Sequence, residues 1–98
     1  MDLTTKLREL YAAGVAYNIA IPDRPIPDMV LEVASRYPKR AAIDFFARQL
    51  TYAELAQEMR QAAGALHQAG VRPGDRVALV MPNCPQHAIA VLGTMLLG

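Results

Sequence analysis

The chain has 98 residues, 53% of them hydrophobic and 19% charged, with ten Lys and Arg against nine Asp and Glu, which suits one small α/β or helical unit. A net charge of +1, with no basic run longer than Lys39-Arg40, leaves no electrostatic footprint for nucleic acid or an anionic membrane. The lone cysteine, Cys84, excludes an internal disulfide, no basic-then-apolar leader opens the sequence, and the apolar stretch 88–97 is shorter than the ~20 residues that cross a bilayer; the expected compartment is the cytoplasm.

Leu3, Leu7, Leu10 and Tyr11 recur at helical spacing, with Lys6, Arg8 and Glu9 elsewhere on the wheel, and predict a short amphipathic helix ending near Gly14. Residues 19–27 hold Pro22, Pro25 and Pro27; fixed φ angles and missing N–H donors exclude a helix or central strand. This extended connector carries Ile19, Ile21 and Ile26, which are costly to leave in water and are expected to lie along a surface. Pro27-Asp28 opens a second helix with Met29, Val30, Val33, Ala34 and Tyr37 on one face, stopped by Pro38. Residues 41–46 and 49–51 predict two strands around a tight Ala47-Arg48 turn, although that turn lacks the usual Gly or Asn.

Thr51-Tyr52-Ala53-Glu54 fits a capping box, in which each end residue's side chain accepts from the other's amide. Leu55, Met59, Ala62, Ala63 and Leu66 follow in steps of three and four, and Gly70 stands where a left-handed residue ends helices, predicting a helix over 52–69. Arg72-Pro73-Gly74-Asp75 is turn chemistry, and Val77–Met81 is an unbroken apolar run of the kind found in strands buried on both faces. Asn83 is the candidate cap of a last helix over 85–97, with Pro85 in its first turn and apolar residues in nearly every direction. Such a helix needs partners on all sides. The expected organisation is therefore a piece of a larger α/β protein, with an N-terminal helix or arm over 1–18, a connector over 19–27 and an α/β segment over 28–98.

Residues with potential chemistry also have plainer structural roles. Ser35 is the only serine, on a helix, without a nearby histidine or nucleophile elbow. Cys84 and His87 offer two metal ligands where a structural zinc takes four, and His67 is the only other histidine. Gly93 and Gly98 have the spacing of a phosphate loop without its Lys-Ser/Thr, and the residues between them suit a helix interior. Asp23 and Asp28 flank the connector, Glu54 and Glu58 lie one helical turn apart, and Arg36, Lys39 and Arg40 form a solvated rim; capping and solvation account for all of them.

The segments Leu50–Leu55, Ala69–Ala78 and Met81–Gln86, in this order and separation, resemble the amino-terminal region of AMP-forming acyl-CoA synthetases, of the adenylate-forming superfamily. Ile21–Asp28 and Ala42–Phe45 resemble the lead-in of bacterial long-chain fatty-acid CoA ligases, so the likeness covers residues 19–98. The resemblance implies the truncated start of the family's large N-terminal α/β domain: helix, proline-rich connector, helix, β-hairpin, helix, buried strand, helix. Such enzymes activate a carboxylate with ATP as an acyl-adenylate and then pass the acyl group to coenzyme A, because a mixed anhydride has the leaving group that a carboxylate lacks. The implied partners are the rest of the synthetase chain, a fatty acid, ATP, Mg2+ and coenzyme A. The family's phosphate loop, its Thr-Glu pair, its ribose-binding Asp and its C-terminal Lys have no matching positions here. No catalytic, cofactor-binding or metal residue is therefore expected in these 98 residues, and the piece by itself is expected to be inert.

Two other classes compete with this reading. One is a small stand-alone interaction module that uses the apolar helix 85–97. The other is a nucleotide-binding α/β unit in its own right, disfavoured because no two glycines fall at G-x-G. Exposed apolar area is further expected to support a homodimer.

Overall fold

A computed structural model describes residues 2–98, with four helices and one two-stranded sheet. The first helix, α1 (Leu3–Glu9), is capped by the Asp2 carboxylate, which accepts from the Thr5 amide at 2.8 Å. It ends well before Gly14. Leu10 and Tyr11 donate to carbonyls three residues back, tightening the last turn into bends that reach Gly14 at φ +83°. None of α1 is buried. Its C-terminal part folds on the chain that follows, with the Tyr11 and Tyr17 rings edge to face at 5.1 Å and the Arg8 guanidinium 4.9 Å from the Tyr17 ring centre.

The connector does not lie on a surface as expected. Ile19 and Ile21 are 72% and 82% exposed, because the described residues place no apolar face beneath them. What ties it down is charge: the Arg24 guanidinium pairs with Glu32, which also binds Arg36 at 2.9 Å one helical turn on. The second helix, α2 (Ile26–Arg36), begins one residue before the expected Pro27. Pro27 and Ala34 are its buried residues, whereas Tyr37 lies past its end and carries Arg40 over its ring.

Strands β1 (Ala41–Phe45) and β2 (Arg48–Thr51) pair antiparallel, from Phe45 opposite Arg48 to Ala41 opposite Thr51, with a register shift between Ala41 and Ile43. The turn is therefore Phe46-Ala47, one residue earlier than expected. Phe46 has φ +56°, a conformation that its residue type does not signal.

The third helix, α3 (Tyr52–Gln68), starts with every orphan amide of its first turn satisfied. The Tyr52 and Ala53 amides donate to the Arg40 and Pro38 carbonyls at 2.9 and 3.0 Å. The Glu54 amide donates to the Thr51 hydroxyl at 3.2 Å, and the Thr51 amide donates to the Glu54 carboxylate at 3.0 Å, completing the expected box. At the other end Gly70, at φ +101°, donates to the His67 carbonyl while Val71 donates to that of Leu66, the paired bonds of a Schellman termination.

Residues 77–81 differ from expectation. They alternate half-buried Val77 and Leu79 with exposed Ala78 and Val80, but no strand among the described residues pairs with them, and Val80 is 95% exposed. The last helix, α4 (Pro85–Leu97), is capped at Cys84 rather than Asn83, with no side-chain cap bond. It lies against α3, with Gly93 buried at the crossing. The core is small and sits where α2, the hairpin, α3 and α4 meet: Ala34, Leu50, Leu55, Ala56 and Met59, the last fully enclosed. The result is a mixed α/β arrangement, as expected.

Candidate functional site

Of the residues singled out from the sequence, Cys84 and His87 share the N-terminal end of α4, where the His87 amide donates to the Cys84 carbonyl at 3.0 Å, and the others named here are placed apart. Ser35 lies on the exposed side of α2, and His67 sits in the last turn of α3, where its carbonyl accepts from the Arg72 guanidinium at 2.8 Å. Arg36 is engaged with Glu32, and Arg40 lies over Tyr37 at 4.5 Å, so the basic rim does not converge. Asp28 occupies the first turn of α2, where it complements the helix dipole. Glu54 is the capping carboxylate. The Thr51 amide and hydroxyl hold its pKa below the ordinary glutamate range. Glu32 is lowered likewise by the hydrogen bond and charge of Arg24, with Arg36 adding to the effect.

Gly93, half of the candidate phosphate loop, is instead the contact point of α4 with α3. Gly98, at φ +116°, offers its carbonyl to the Gly74 amide at 2.8 Å, which joins the C-terminal end of α4 to the turn after α3. One functional side chain of that turn was not legible from residue type. Arg72 donates to the His67 and Val71 carbonyls while its amide donates to the Asp75 carboxylate at 2.8 Å, so it caps α3 with a charge of the favourable sign.

The described residues also form concavities, one of them about 280 Å³ between α2 and α3, lined by Leu31, Ala34, Ser35, Ala53, Ala56 and Arg60. A cavity of about 100 Å³ lies between the hairpin, α3 and α4, with Arg48, Glu58 and Gln86 as its polar lining among Ile43, Leu50 and Ile89. That is below the roughly 300–1,000 Å³ of ordinary ligand sites, so it does not fit a nucleotide or a fatty acid. An open groove of about 380 Å³ runs along the other side of α4, from Cys84 and His87 to Ala88, Val91 and Leu92. Its polar groups are confined to one end. Among the described residues, no three His, Cys, Asp or Glu side chains gather as a metal site. Among the described residues, no helix is long and apolar enough to cross a membrane.

Residues 30–98 match the family model described as AMP-binding enzyme. Among similar proteins, the long-chain-fatty-acid–CoA ligase of Bacillus subtilis (strain 168) is 30% identical over 88 residues, covering 90% of this chain and 16% of the relative. An acetyl-coenzyme A synthetase of Streptomyces avermitilis is 44% identical over 90 residues, covering 87% of this chain and 12% of the relative. A salicyl-AMP ligase / salicyl-S-ArCP synthetase of Mycobacterium tuberculosis is 40% identical over 80 residues, with coverages of 76% and 14%. The chain thus belongs to the AMP-binding enzyme family, the family of the adenylate-forming acyl-CoA ligases. It spans less than a fifth of the length of these relatives.

Proposed function

We propose that these 98 residues are the N-terminal structural portion of a long-chain fatty-acid CoA ligase acting in the cytoplasm. The whole enzyme converts a fatty acid and ATP to an acyl-adenylate and pyrophosphate, then passes the acyl group to coenzyme A. The observation that carries this reading is the alignment with the Bacillus ligase across 90% of the chain, which takes in much of the lead-in before residue 30 as well as the family segment. The chain's own side chains do the work of a scaffold: the Thr51/Glu54 box, the Arg72 cap and the Gly93 crossing fix helices and turns. ATP, Mg2+ and coenzyme A belong to the rest of the enzyme.

The test is pyrophosphate exchange into ATP driven by carboxylates of different length. A longer polypeptide containing these residues is expected to exchange with a long-chain fatty acid in preference to acetate or salicylate. The 98 residues by themselves are expected to give none. Exchange by the short chain would overturn the scaffold assignment, and a preference for acetate would overturn the long-chain assignment while leaving the family intact.

A further inference from the structure

We draw no further inference here: the strongest candidate, the exposed aromatic patch that Phe45 and Phe46 form at the tip of the β1–β2 hairpin, carries nothing because nothing in the structure shows what covers it in a chain that spans less than a fifth of its relatives' length.

Discussion

Gly93 of α4 and Ala62 of α3 touch so closely that a Cβ added to Gly93 would stand 2.7 Å from the Ala62 Cβ, with the Met59 carbonyl oxygen at 3.1 Å and the Ala63 nitrogen at 3.3 Å. Two of these three neighbours are backbone, so a methyl group cannot be accommodated by rotating a side chain. Gly93→Ala is expected to destabilise by about 1–3 kcal/mol through overpacking, outweighing the ~1 kcal/mol gain in helix propensity. Gly64 is the internal control: it also lies within a helix, but nothing stands within 4 Å of its added Cβ. Gly64→Ala is expected to stabilise by about 1 kcal/mol. Urea midpoints of the two variants should therefore move in opposite directions, and a shift of the same sign in both would refute the close crossing.

Among the described residues, Met59 is the one large side chain sealed from solvent, at 0% exposure. Met59→Ala is expected to cost about 2–5 kcal/mol, a large part of the ~5–15 kcal/mol by which domains are stable. Leu66→Ala, at a half-buried site on the same helix, should cost less. Denaturant unfolding followed by circular dichroism ranks the two, and equal losses would mean that the core is not centred on Met59.

The features legible from sequence are those whose partners are local. Thr51 and Glu54 are three residues apart, and the Gly70 termination needs only the helix it ends, so residue type and spacing suffice for both. The α/β character and the family were legible too, from turn and cap motifs in a characteristic order. Val77–Met81 was not, because an apolar run states only a preference for extended, buried backbone, whereas a strand requires a ladder partner from elsewhere. The same non-local dependence left Ile19 and Ile21 in water. Among the candidate site residues, Gly93 lies in a helix interior and Glu54 in a cap, as read for them, while the contact of Gly93 with α3 and the Arg72 cap depended on packing and on a side-chain direction that spacing does not encode.

The hairpin tip stores a small strain. Phe46 holds φ +56°, is 90% exposed and packs its ring on Phe45 at a centroid distance of 4.6 Å. A left-handed backbone costs a residue with a Cβ roughly 1–2 kcal/mol, and glycine adopts it freely at some cost in unfolded-chain entropy. Phe46→Gly is therefore expected to stabilise by up to about 1 kcal/mol. Phe46→Val, β-branched, is expected to destabilise. Thermal unfolding of both variants checks this, and a stabilised valine variant would contradict the turn geometry.

Glu54 links the start of α3 to pH. The Thr51 amide, and secondarily its hydroxyl, lower the folded-state pKa of Glu54 below the unfolded value, which is about 4.3. The unfolded chain therefore binds the proton more readily. The stabilisation from this carboxylate is fully present above the unfolded pKa and is lost as pH falls through the folded one. Glu54→Gln keeps an acceptor for the Thr51 amide but removes the charge, so the variant should be less stable than the natural chain at neutral pH and converge on it in acid. Thr51→Ala removes the hydroxyl half of the box and is expected to cost about 1 kcal/mol. Urea midpoints measured from pH 7 down to pH 2.5 distinguish the two effects. If the natural chain and Glu54→Gln run parallel over the whole range, the carboxylate carries no pH-dependent part of the cap.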